Sequence, residues 1–239
     1  MGLAVTQGVS SLGGMEGSVS RYKEAHEVED EFIAGFPAGT GQLAYKLWTN
    51  LGRLHLNWKN YRSLFGTSPG RIDLLNWAAP TFFGLLDGIL WHDIILAIAR
   101  LTDPARSAGK ENASLAQLVE SLKPFVEPTV IAAWHSQLQD LKTYCKPVRD
   151  IRNRLLGHDD LATTLHFHPD PLPGVSRAYI EGALARLRDL LGAIEKHFRG
   201  SYTSHQYIIS SNDGEALIVV LETAREEEEC RERKFDNEG

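Results

Sequence analysis

The sequence predicts an all-α protein, a four-helix bundle with a C-terminal helical extension. Three observations carry that expectation. Long segments repeat apolar residues every three or four positions, the period of a helix with one buried face. Glycine and proline fall between those segments, where helices stop and start. Strand signals are too few to build a sheet. The chain has 239 residues, enough for one sizeable domain or two small ones. It divides into a flexible N-terminal segment (1–37), a helical bundle (38–200) and an extension ending in a charged helix or tail (201–239).

Residues 1–20 are rich in Gly and Ser and read as flexible. Gly41 to Phe65 places Leu43, Leu47, Leu51, Leu54 and Trp58 on one face, and the run from Gly66 to Gly70 stops it. Ile72 to Leu101 is very apolar; Pro80 should kink or split it, and its all-round apolarity marks it as the central helix. Asp103 to Asn112 reads as a loop. Ser114 caps a short helix, Leu115 to Lys123, ended by Pro124. Pro128 opens the next helix, expected to run unbroken from Thr129 to Leu156 and to close on Gly157. A break before Arg149 would put its basic residues on unrelated surfaces and undo the argument for one basic helix end. After the extended stretch His166–Gly174, Val175 to Arg199 is amphipathic again, with Ile180, Leu184, Leu187, Leu191 and Ile194 in phase. Gln206–Ser210 reads as a short strand or extended arm. Gly214 to Arg233 reads as a last helix with a highly charged second half.

Composition narrows the function classes. A net charge of −6 argues against a general nucleic-acid coat while leaving room for a local basic site. Two cysteines cannot build a disulfide framework, which fits a cytoplasmic location. The longest uncharged apolar piece, Leu74–Leu86, has 13 residues, against roughly 20 for a membrane span. The N-terminus lacks the basic and apolar regions of a signal peptide.

One stretch carries chemistry. Between Lys142 and Arg154 lie Lys142, Lys146, Arg149, Arg152 and Arg154 with a single acid, Asp150. These cations sit toward a helix C-terminus, where they complement the macrodipole. Arg152-Asn153 followed by His158 pairs a guanidinium with an imidazole. A neutral imidazole, with an ordinary pKa of ~6.5, can take the proton of an RNA 2′-hydroxyl or protonate the leaving oxygen. The guanidinium can hold the phosphate and its developing charge. Asn153 can orient either. The spacing alone is cheap: Arg21/His26 and Arg199/His205 match it too. Only the Arg152 match ends a long amphipathic helix and is followed by a polar Asn.

Arg152-Asn153-Arg154-Leu155-Leu156-Gly157-His158-Asp159-Asp160 resembles the signature of the HEPN superfamily, in its AbiU2-like branch. A second block, Ile98-Ala99-Arg100-Leu101-Thr102-Asp103-Pro104 followed by Asn112-Ala113-Ser114-Leu115, is similar to that branch at the end of its second helix. The resemblance covers roughly residues 40–200 and implies a HEPN-like four-helix bundle. It further implies a homodimer whose two Arg–His motifs form one metal-independent RNase cleft, a toxin or abortive-infection effector with an RNA substrate and a possible antitoxin. Arg152, Asn153 and His158 match the motif as catalytic residues, and Arg149, Arg154 and Lys146 are the substrate-binding candidates. Arg154 leaves open which arginine contacts phosphate.

The plainer readings stand beside these. Arg152 and His158 could merely cap the helix. Arg100 and Asp103 read as a structural ion pair. His55, His92 and His135 read as packing residues and Cys145 as a core thiol. Asp159 and Asp160 either orient His158 or start a loop. His166 and His168 lack further ligands nearby, so no metal and no cofactor are expected. The apolar cluster Ile208, Ile209 and Leu217–Leu221 should pack on its own bundle or on a second subunit. The alternative function is a non-catalytic helical homodimer that binds RNA, a nucleotide or a protein partner.

Overall fold

A computed structural model describes residues 24–156, 173–207, 210 and 212–238. The chain is helical almost throughout: α1 (Ala25–Ala34), α2 (Gly41–Phe65), α3 (Pro69–Ala78), α4 (Pro80–Leu101), α5 (Leu115–Leu122), α6 (Pro128–Tyr144), α7 (Lys146–Ile151), α8 (Arg177–Arg199) and α9 (Gly214–Glu238). Two short strands, β1 (Arg106–Ser107) and β2 (Lys110–Glu111), pair antiparallel in the loop after α4. Ala108 and Gly109 form their turn with positive φ, as a tight hairpin requires.

The bundle core is made by α2, the second half of α4, α6 and α8. Leu47, Leu51 and Leu54 meet Ile94, Ile95 and Ile98, with Leu138 and Leu141 from α6 and Leu184, Leu187 and Leu191 from α8. Burying each such aliphatic side chain stabilises the fold by roughly 1.5–3 kcal/mol. Polar contacts fix the register. Trp58 donates to Glu181 at 2.8 Å, and Asn57 donates to Asp93 at 2.7 Å.

Pro80 splits the apolar segment at Ala79 rather than kinking it, giving α3 and α4. Only the second half of α4 is central. Its first half leaves Phe82, Leu85 and Ile89 exposed, at 58%, 64% and 54%. By length and composition α4 could cross a membrane, but Ile94, Ile95 and Ile98 are fully enclosed by the bundle.

Two expectations need correction. The helix from Thr129 does not run unbroken to Leu156; it ends at Tyr144, and Cys145 carries a non-helical ψ of 6°. Pro147 is the cause: it has no N–H to give to the Thr143 carbonyl four residues back, and its ring crowds that carbonyl, so α6 cannot continue through it. The second correction is α1, which lies inside the segment expected to be flexible. Phe32 and Phe36 stack at 5.3 Å and enter the core, and the Glu24 N–H is held by the Glu27 carboxylate at 2.9 Å, half of a capping box.

The C-terminal extension packs on its own bundle. Buried Glu195 accepts from the Thr203 N–H and hydroxyl, both at 3.0 Å, and pairs with Arg199 at 2.5 Å. A 3-10 turn covers His205–Tyr207, so Gln206 and Tyr207 are not extended; Ile208 and Ile209 of the expected arm lie outside the described residues. The start of α9 docks through Lys59–Asp213 at 2.6 Å and through Ile218, which joins Leu64, Leu74, Leu75 and Phe83 in a second small core. Glu226 to Glu229 are exposed, as expected of a solvated helix end.

His205 stacks on His55, ring centroids 6.1 Å apart, beneath Arg188. Burial first, then the Arg188 charge, holds His55 down at about 3 and His205 at about 4. Both are therefore neutral in the folded protein near neutral pH, while the unfolded chain takes up protons near 6.5. Between those values the unfolded state binds more protons, so stability present above pH 6.5 is lost as pH falls toward 4. Denaturant titrations across that range should show a loss on the order of 3 kcal/mol or more. The His205→Phe variant should show a shallower pH dependence.

Candidate functional site

The site-bearing segment begins at the break. Its direction is set where α6 ends, by a clasp of two tyrosines. Tyr144 and Tyr179 stack at 4.8 Å and 10°. The Tyr144 hydroxyl donates to the Tyr179 carbonyl at 3.2 Å, and the Tyr179 hydroxyl donates to the Tyr144 carbonyl in return. Arg186 lies 3.9 Å over the Tyr144 ring and pairs with Asp140 at 3.0 Å. From this fixed end the chain turns at Cys145, runs through α7 and passes into one π-helical turn, Arg152–Leu156. Such turns are rare and recur at functional sites.

A second anchor comes from the end of α4. The Thr102 hydroxyl bonds back to the Ile98 and Ala99 carbonyls at 2.9 and 3.1 Å. The Asn112 amide donates to the Pro104 carbonyl at 2.8 Å, closing the base of the β1–β2 hairpin, and Ser114 caps α5 through the Gln117 N–H at 3.3 Å. This knot is the block that the sequence singles out, and it holds Asp103 still. Arg152 reaches Asp103 with both ends of its fork, Nη2 to Oδ1 at 2.9 Å and Nη1 to Oδ2 at 3.4 Å. The pair is largely enclosed, with side-chain exposures of 25% and 17%. The expected Arg100–Asp103 pair is not formed: Asp103 faces the π turn and Arg100 points to solvent.

The other candidates separate by surface. Arg149 is half-buried; its charge, with that of Arg186, opposes the burial that pushes the Cys145 thiol up to about 12. Burial, and after it the Arg149 charge, also holds Lys142 below the ordinary lysine range. The break before Arg149 overturns the expected grouping of the five cations on one helix end; Lys142 and Arg149 alone are seen to stay within electrostatic reach across it. Lys146 and Asn153 are exposed and Arg154 is half-buried. The Nε atoms of Arg149 and Arg152 are buried and meet no acceptor among the described residues. Gly157, His158, Asp159, Asp160, His166 and His168 lie outside those residues. Cys145 is a core thiol as expected, and His55 is buried. His92 is exposed, and His135 lies at the surface beside Glu120 at 3.8 Å. Asp103 is the candidate-site residue whose role the sequence does not reveal: Arg100 is its near neighbour in the chain, and no local spacing points to Arg152.

A family model described as AbiU2, of the HEPN group, matches residues 39–217. The chain belongs to the AbiU2 family of HEPN proteins. No curated protein and no solved structure gives a match. The matched span of this AbiU2 protein includes the Asp103 knot, the π turn and the position of His158. Membership points to an abortive-infection or toxin-related role.

Asp103→Ala should cost this AbiU2 protein about 2 kcal/mol, because it strands an enclosed guanidinium and removes two charge-assisted hydrogen bonds. Urea midpoints measure it. Arg100→Ala, at an exposed side chain, should stay within about 0.5 kcal/mol of the parent.

Proposed function

We propose that this AbiU2 protein is a metal-independent endoribonuclease that acts in the cytoplasm as a toxin or abortive-infection effector. The observation that carries the reading is the Arg152-Asn153…His158 motif, which falls inside the family match and begins at a π turn where Arg152 keeps a buried Nε that meets no acceptor among the described residues. Asp103 uses two of the five N–H donors of Arg152, so the guanidinium is positioned by the ion pair without being exhausted.

The chemistry is a transesterification. His158 takes the proton of the 2′-hydroxyl, whose oxygen attacks phosphorus. The bond to the 5′-oxygen breaks, leaving a 2′,3′-cyclic phosphate, and that oxygen must receive a proton. One imidazole supplies one proton-transfer group. A two-fold homodimer supplies the second from the same sequence, because a C2 axis brings like residues together. The exposed row Phe82, Leu85 and Ile89, at i, i+3 and i+7 on α4, is the apolar surface that suits such an interface. Arg154, Arg149 and Lys146 then contribute positive charge to the substrate, and an antitoxin protein would cover the same cleft.

A second reading, a non-catalytic homodimer that binds RNA, a nucleotide or a protein, is favoured by one observation: the fork of Arg152 is already engaged by Asp103. RNA cleavage in the presence of chelator separates the two. Wild type should cleave and His158→Ala should lose ~10²–10⁴ in rate, the usual worth of one general acid–base group. Equal rates would remove His158 from the mechanism. Light scattering should return twice the chain mass of 26.6 kDa; a strict monomer that still cleaves would remove the composite site.

A further inference from the structure

We propose that the cleft between α2 and the end of α4 is a binding site for the RNA phosphodiester backbone, carrying the strand toward the Arg152 turn. The cleft has a volume of about 350 Å³ and is lined by Lys46, Asn50 and Arg53 from α2, by Arg100 from α4, and by Asp103 and Asn112 from the knot. Lys46, Asn50 and Arg53 stand at i, i+4 and i+7, which puts all three on one helix face.

The charge arrangement is unusual for this chain. Three cations share one concavity with a single acid, and that acid is already paired with Arg152 from outside the lining. Lys46, Arg53 and Arg100 make no ion pair among the described residues. By contrast Arg62, Arg71, Arg106 and Arg186 each meet a carboxylate within 3.0 Å. Like charges gathered in a concave site cost free energy that a bound anion relieves, and the field there is focused although the chain carries −6 overall.

The lining also selects the kind of anion. It holds no aromatic ring on which a base could stack. Two guanidiniums and an ammonium suit phosphate oxygens and read no sequence. A chain of phosphates satisfies three separated cations better than one small anion does. The cleft shares Asp103 with the Arg152 ion pair, so a strand lying in it continues directly to the π turn. The choice of RNA rests on the ribonuclease reading; the choice of a phosphate backbone rests on the lining.

The test is a titration of the full-length chain, in a His158→Ala background that halts cleavage, with a fluorescent single-stranded RNA at several salt concentrations. Each phosphate contact contributes about 0.7 to the slope of log affinity against log salt for single strands. Arg53→Ala with Arg100→Ala should therefore lower that slope by about 1.4 and weaken binding on the order of tenfold or more. Lys46→Ala should lower it further. Arg53→Lys with Arg100→Lys should keep the slope, and Lys196→Ala, an exposed cation on α8 outside the lining, should leave it unchanged. Both arginines are exposed, so thermal melts of the variants should overlay the parent.

RNA binding with an unaltered slope in the Arg53/Arg100 variant overturns the cleft while leaving the ribonuclease reading to the cleavage assay. Loss of slope in that variant, with a wild type that binds but never cleaves, supports the cleft and overturns the ribonuclease reading. No RNA binding at all overturns the cleft, as does tighter binding of a polyglutamate peptide at the same residues.

Discussion

The bidentate contact between Arg152 and Asp103 ties together parts of the chain that share no local sequence. One partner sits where α4 ends, the other where α7 gives way to the π turn. A carboxylate is useful there only if it cannot move, and that need accounts for the polar knot around it. Thr102 ends the helix on its own carbonyls, Pro104 turns the chain, and Asn112 closes the hairpin base. Ser114 then starts α5, so the loop is held at both ends. The charge on Arg152 is compensated inside the monomer, and the guanidinium enters the site already oriented.

Much of the fold was legible in the sequence. The bounds of α2 follow from its apolar repeat and the Gly66–Gly70 stop, and Ser114, Pro128 and Gly200 mark helix ends where the sequence places them. The α6 error has one cause: a strong apolar period outweighs a single breaker. Pro80 interrupts an apolar run, and α4 begins there. Pro147 sits inside a stripe that Val148, Arg152 and Leu155 continue, and the helix nonetheless ends before it. For α1 the apolar signal is short, but Glu24 and Glu27 form its N-terminal box and Phe32 faces the core. Of the candidate site, the sequence offers residue types in a row. The pairing is not legible there: Arg100 is three residues from Asp103 in sequence, whereas Arg152 reaches it only through the packing of α4 against α7.

The C-terminal extension is fastened by buried polarity as well as by the apolar contact of Ile218, while Leu217, Val219 and Val220 stay exposed. Glu195 is 2% exposed, and burial raises its pKa against the pull of Thr203 and Arg199. Its acceptor sites are filled by one backbone N–H, one hydroxyl and one guanidinium. The turn that follows carries His205 over His55, and Trp48 completes the lid by donating to Thr203 at 2.9 Å. Each group is neutral or compensated in place, so the extension is part of the folded unit.

The two-tyrosine clasp at the end of α6 bears on what the corner at Cys145 can do. A proline-broken helix is often a hinge, but here the last residue before the break is stacked, bonded in both directions and roofed by Arg186. Gly182 passes so close beneath the ring that a methyl group there would overlap the Tyr144 hydroxyl. The corner is a rigid bracket, and α8, which contributes no residue to the motif, decides which way the motif points. Position 182 accordingly admits a side chain only if the Tyr144 ring gives way, a restriction that a helix of about six turns places on the direction of a motif to which it contributes no residue.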